Sequence, residues 1–447
     1  MEPSTNESPS FFDRYAYALK AGIIVVLIMV LLIPANMIQN LIWERRDRQE
    51  EASKEVSSRW GNEQNITGPV LAIPYKSGTN KSSTEDAAQY VYLLPENLKI
   101  NGELLPEKLQ RGIFNVAVYN AKLQLSGAFS GTAIASLNIS PSALDWEHAS
   151  LLIGISDLHG IDNQVQMMWN GKNYLFNPGV VSSDLFANGI QSPVAITPGD
   201  TGALAGNFSL ELGVKGSGRI SFSPIGKTTT VAINSSWPNP SFDEAFPPKT
   251  RRVDDKGFAA AWQVQHLNRS YPQSWEGKKF NIHSADFGIK LFMPAESHQM
   301  SMRAVKYAIM IIGLTFFVFY FIELSQRRAL HPIQYALIGL ALCIFYTLLI
   351  SISEQINFIM AYIIASVLTI GLIIAYTAAA FKSTRIAAGI GATLTVIYTF
   401  IYVIISAEDQ ALLMGSLGLF IILALIMYFS TTIKWDKLGH KNTTITQ

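Results

Sequence analysis

Cysteine is almost missing from this 447-residue chain: Cys343 is the only one, and it lies inside an apolar run. An intrachain disulfide, a CxxC redox pair and a cysteine-built zinc site are thereby excluded. Charge is scarce too, at 15% of residues against roughly 25% in an ordinary soluble domain. Neither sign prevails, with 34 Lys and Arg against 33 Asp and Glu, so no one-signed field exists to condense nucleic acid. Catalytic signatures are lacking as well, since neither a GxSxG elbow nor an HExxH helix occurs. The histidines (His148, His159, His266, His283, His298, His331, His440) share no helical metal spacing. Gly226-Lys227-Thr228 looks like the end of a phosphate-binding loop, but Ser221 stands where that motif needs glycine and the flanks read as strands. No cofactor or metal is expected.

What is present in abundance is apolar sequence, 49% of the chain. The first run, 21–42, follows Phe11, Phe12, Tyr15 and Tyr17, which suit an aromatic belt. It is longer than a signal-peptide core and lacks a small-x-small cleavage site before the charged WERRDRQEE, so it reads as an uncleaved signal anchor behind a cytoplasmic segment, 1–20. Residues 43–302 are different material, with 23 basic and 25 acidic residues and no run long enough to span a bilayer. Period-two stretches such as FNVAVYNAKLQLSG (114–127), NFSLELGV (207–214) and TTVAIN (229–234) alternate with Gly, Pro and Ser turns. The expectation is a β-rich, predominantly antiparallel, sandwich-like domain.

From 303 on, only 14 charges occur in 145 residues. Five apolar segments (304–324, 333–352, 358–380, 386–406, 411–430) are each long enough to cross roughly 30 Å of hydrocarbon, giving a five-helix bundle, 303–430, and six spans in total. One set of short connections and the tail, 431–447, carries Arg327, Arg328, Lys382, Arg385, Lys434, Lys437 and Lys441; the other set carries Glu354, Glu408 and Asp409. The positive-inside rule then places both termini in the cytoplasm and the large domain outside. The fold expected is therefore mixed: a polytopic α-helical membrane bundle with a large inserted extracytoplasmic β domain.

Ionisable residues gather at the span ends. Glu323 precedes Arg327 by one helical turn, a local anchor, and Pro332 suits the first turn of a helix capped at His331. Arg45, Arg46, Arg48, Arg303 and Lys306 violate the positive-inside count and share the outer depth of Glu354, Glu408 and Asp409. An interfacial charge belt follows, with Arg303 or Lys306 expected to contact one of those acids, although Asp409 also suits a helix N-terminus. In the outer domain, Phe258, Trp262 and Val264 should face the sheet core. His266 and Arg269 come next, where the strand gives way to a turn: a candidate site, or a place where Arg269 ties the loop to backbone carbonyls.

The blocks GPVLAIPY (68–75), RGIFNVAVYNAKLQLSGAF (111–129), GISDLHGI (154–161), SSWPNPSF (235–242), GFAAAWQVQHLNR (257–269), RAVKYAIMIIGLTF (303–316), HPIQYALIGLALCIFYTLLISISE (331–354) and EDQALLMGSLGLF (408–420) resemble the CreD family of bacterial inner-membrane proteins. The resemblance implies a protein of the cytoplasmic membrane associated with cell-envelope integrity and stress response, and it brings no reaction with it. Two functional classes are carried forward. The favoured one is a non-enzymatic protein whose outer domain engages peptidoglycan, lipid or another envelope protein while the helices sit in the bilayer. The alternative is a membrane enzyme or a lipid or solute transporter, which needs a pocket with convergent polar groups.

Overall fold

The computed structural model describes residues 11–75, 89–131, 134, 137, 139–197, 204–242, 245–291, 296–326, 330–407 and 410–432. Its contacts divide the chain into two units, residues 1–48 with 295–447, and residues 49–294.

The first apolar run lies in one long helix, α1 (Phe11–Trp60), which extends well beyond the anchor. Hydropathy marks where apolar sequence ends, not where a helix ends. The polar continuation keeps helical geometry with support from one-turn pairs Glu44–Arg48 and Glu55–Arg59. In the membrane part, Ile24, Leu31, Ala35, Ile38 and Ile42 are buried at helical spacing, while Val26, Met29 and Ile33 point outward. An outward apolar face is what lipid requires.

The segment expected as one helix over 304–324 is instead a bent pair, α2 (Glu296–Lys306) and α3 (Ala308–Gln326), meeting at 45°. The polar ESHQMSMR start cannot continue a span into hydrocarbon, and the Tyr307 N–H closes a tight turn onto Ala304. Next come α4 (Pro332–Ser353), α5 (Phe358–Phe381), α6 (Thr384–Ser406) and α7 (Ala411–Thr432). His331 caps α4, its ring nitrogen accepting from the Ile333 N–H, with Pro332 in the first turn. Among the described residues, α1, α4, α5 and α6 are long and apolar enough to cross a bilayer, and the α2–α3 pair makes a fifth if counted as one span. Small residues set close contacts: a Cβ on Gly339 would lie 2.2 Å from Leu31, and one on Gly391 2.4 Å from Ile374.

The second unit holds the strands β1 (Gln64–Tyr75), β2 (Gln89–Leu93), β3 (Asn97–Arg111), β4 (Phe114–Phe129), β5 (Ala149–Ile155), β6 (Gln166–Trp169), β7 (Lys172–Leu175), β8 (Asn177–Pro178) and β9 (Gly189–Val194). Then follow β10 (Gly206–Ser217), β11 (Arg219–Phe222), β12 (Thr228–Ser235), β13 (Pro240–Ser241), β14 (Thr250–Asp254), β15 (Gly257–Gln265), β16 (Ser274–Glu276) and β17 (Phe287–Leu291). One sheet has the order β13-β17-β11-β1-β5-β9-β8, with β2 also on β1 and β16 on β2; the other runs β14-β15-β12-β3-β4-β10-β6-β7. Pairing is antiparallel except for β1 with β11 and β3 with β12, so both sheets are mixed. The chain passes from the second sheet to the first at Gly218, whose positive φ of 67° turns β10 directly into β11.

Buried side chains of both sheets form one hydrophobic cluster. Phe258, Trp262 and Val264 of β15 lie in it, and Trp262 meets Phe242 and Phe287 with ring centroids 5.8 Å apart in each case. Strand β1 is buried along most of its length, as a central strand covered on both faces must be.

Candidate functional site

A dense polar construction in the β unit lies where the last turns of α1 give way to β1. Glu55 receives Arg111 of β3 in a two-pronged pair at 2.8 and 3.0 Å. The Trp60 indole donates to the Tyr119 carbonyl at 3.4 Å and has the Lys215 ammonium over its ring at 5.7 Å. Gly61 then turns the chain at φ 146°, packed so closely on the Lys215 carbonyl that a Cβ would stand 2.7 Å from it.

Asp157, from GISDLHGI, anchors this turn. Its Oδ2 accepts from the Asn62 backbone N–H at 2.9 Å and from Asn62 Nδ2 at 2.8 Å. Oδ1 accepts from the backbone and ring nitrogens of His159, both at 3.0 Å. A carboxylate only accepts, so His159 Nδ1 carries the proton. Gln64 completes the lock: its amide donates to the Asp157 and Lys215 carbonyls, and its oxygen accepts from the Asp157 N–H. Burial pushes the Asp157 pKa up, but the hydrogen bonds from Asn62 and His159 outweigh it and hold the carboxyl below its ordinary 3.8. Gly160 belongs to the same construction, because a Cβ there would stand 2.2 Å from the Lys215 carbonyl oxygen.

Within the helical unit, Glu354 is within 3.5 Å of Arg45 on α1, at ion-pair distance but without hydrogen-bond geometry. Arg303 donates to the Ile405 carbonyl at 3.3 Å, and Lys306 forms no ion pair among the described residues. Glu408 and Asp409 lie outside the described residues. The structure thus brings Glu354 to Arg45, one of the basic residues at the outer ends of the helices.

Sequence reasoning missed a second cluster. Glu323 is buried, and its partners are Lys20 of α1, in an ion pair, and the Tyr335 hydroxyl of α4, which donates to it at 2.9 Å. Lys20 also donates to the Leu330 carbonyl and lies 5.9 Å from the Tyr335 ring centroid. One carboxylate therefore ties α1, α3 and α4 together. Arg327, its expected helical partner, lies outside the described residues. No spacing rule links positions 303 residues apart, and the only signal was a lone Lys opening one apolar run and a lone Glu closing another.

Arg269 is also buried. Its guanidinium donates to the Tyr271, Pro272 and Ile225 carbonyls and to Gln273 Oε1, and lies over the Tyr271 ring at 4.2 Å. Burial lowers its pKa to about 10. These contacts hold two loop segments, the one at Ile225 and the one at 271–273, on one cation. His266 opens the preceding short helix and engages the Lys227 carbonyl through its backbone N–H.

Helices long and apolar enough to cross a bilayer, together with a β-rich unit inserted after the first of them, define a polytopic membrane protein. Among the described residues no cluster of three or more metal-ligating side chains occurs. Residues 16–436 match the family model for inner membrane protein CreD, and the chain belongs to that family. Inner membrane protein CreD of Escherichia coli (strain K12) is 28% identical over 417 residues, 91% of each chain.

Proposed function

We propose that this protein maintains the cell envelope without catalysing a reaction, its β unit holding an envelope component on the periplasmic face and passing the resulting load to the membrane through α1. The Asp157 joint carries the reading: a binding domain that only needed tethering could hang on a flexible linker, whereas here the chain between helix and β1 is locked by a buried, multiply hydrogen-bonded carboxylate. In this reading the chain has six spans, with both termini cytoplasmic, and the two mixed sheets form a sandwich. The transporter alternative is weakened because the buried Glu323 is engaged by Lys20 and Tyr335 near one end of α3, away from the midplane sites on which transport chemistry is usually built.

Complementation tests the role. In cells lacking the protein and challenged with an envelope-permeabilising detergent, Asp157→Ala is expected to restore at most a tenth of wild-type survival per unit of membrane-inserted protein; full restoration would contradict the role given to the joint. Orientation is tested by single cysteines in a Cys343→Ser background. An impermeant thiol reagent on intact spheroplasts should label Leu267→Cys, whose native side chain is 82% exposed, and spare Lys437→Cys. Equal labelling would refute the assignment.

A further inference from the structure

The outward face of the second sheet holds a shallow depression of about 200 Å³. Ile100, Val231 and Trp262 are buried on the core side, so their neighbours along β3, β12 and β15 turn outward. One cross-strand row runs Lys99, Thr230, Gln263 and ends on Lys249, whose ammonium donates to Gln263 Oε1 at 2.8 Å. The next row runs Asn101, Ala232, Ala261, Thr250. All eight residues line the depression, with no carboxylate among them. Among the described residues Lys99 forms no ion pair, and the side chains of Asn101, Thr230 and Thr250 form no hydrogen bond. The other half of the same face is built differently: Glu103 of β3 stands across from Lys122 of β4, and Gln124 donates to Glu211 of β10 at 3.4 Å. Charge is mixed there and cationic at the depression.

Alanine is a weak strand former, yet Ala232 and Ala261 take adjacent outward positions at the centre of this face. Their methyl groups leave a floor on which the apolar face of a ligand can lie. Lys99 and Lys249 stand on strands three spacings apart, about 14 Å at the backbone. With Lys249 held by Gln263, that spacing suits two anionic groups on an extended ligand better than one compact anion. Between the cations, free amide and hydroxyl groups suit a ligand rich in hydroxyl and acetamido groups. We propose that the depression binds a carboxylate-bearing amino-sugar polymer, the chemistry of peptidoglycan, laid across β3, β12, β15 and β14. Its carboxylates meet Lys99 and Lys249, and the C–H face of a sugar ring covers Ala232 and Ala261. This rests on the reading of the β unit as the part that holds an envelope component, and it names the chemical class of that component.

The test is co-sedimentation of the full chain, in nanodiscs, with insoluble purified peptidoglycan, either native or with its carboxyl groups blocked by amidation. Native peptidoglycan should retain at least tenfold more protein than the blocked form. Lys99→Gln/Lys249→Gln should lower retention at least tenfold, and Ala261→Leu, which fills the floor and keeps both cations, should do the same. Lys122→Gln, on the same face beside Glu103, should leave retention unchanged. Thermal melting equal to that of the wild type would show that each variant is folded; all four positions lie on the outward face, and Thr250→Glu, placing a carboxylate in the depression, replaces any that melts early. Soluble polygalacturonate should compete for the site, whereas polyglutamate and inorganic phosphate should not. Equal retention by native and blocked peptidoglycan, or retention unaffected by the double substitution, would overturn the site. Loss on Lys122→Gln as large as on the double substitution would reduce it to general charge attraction, and competition by polyglutamate as strong as by polygalacturonate would replace the glycan with an acidic polypeptide; either result overturns the proposal. None of these results touches the Asp157 complementation assay, so failure here is distinguishable from failure of the envelope role.

Discussion

Replacing Glu323 by alanine is expected to destabilise the helical unit by about 3 to 5 kcal/mol, the usual cost of stripping one partner from a buried ion pair. The substitution leaves the Lys20 ammonium with the Leu330 carbonyl alone and removes the acceptor of the Tyr335 hydroxyl, breaking the link among three helices at once. Thermal unfolding in nanodiscs measures it. The double substitution Lys20→Met/Glu323→Leu should recover most of the loss, because apolar side chains of similar volume replace both charges and neither is stranded. A change below about 1 kcal/mol in Glu323→Ala would show that the triad does not hold the bundle together.

Asp157→Ala should destabilise the β unit by about 2 to 4 kcal/mol, since four hydrogen bonds converge on that carboxylate and charged acceptors contribute more than neutral ones. The effect carries a pH signature. The folded-state pKa of Asp157 is depressed, so its contribution is fully present above the unfolded value near 3.8 and disappears as pH falls through the lower folded value. The stability difference between wild type and Asp157→Asn should therefore be constant at neutral pH and shrink below about pH 4. A difference that persisted undiminished under acid would mean that the carboxylate charge is not what holds the joint.

The helices were legible because a span declares itself in hydropathy, and the alternation of FNVAVYNAKLQLSG announced β4, which pairs on both sides with β3 and β10. The helical run 43–60 was not, since its polar residues fit a surface helix as well as a loop. Parallel pairing of β1 with β11 and of β3 with β12 joins strands more than 100 residues apart, and local pattern holds no information about partner choice. Arg269 was legible as a residue that binds carbonyls because Pro272 and the surrounding turn supplied them nearby. Asp157 was visible only as part of GISDLHGI. Its partner Asn62 is 95 residues away, and nothing in the spacing revealed that the motif clamps the end of α1.

The most direct test of the account is hydrogen exchange on the full chain in nanodiscs, comparing amides of 52–60 in α1 with those at the centres of β1, β4 and β10. If the joint makes them one body, both sets open together with the same free energy in the wild type, and in Asp157→Ala the helical turns exchange faster than the strands. Wild-type helical turns that exchanged independently of the strands would contradict the account.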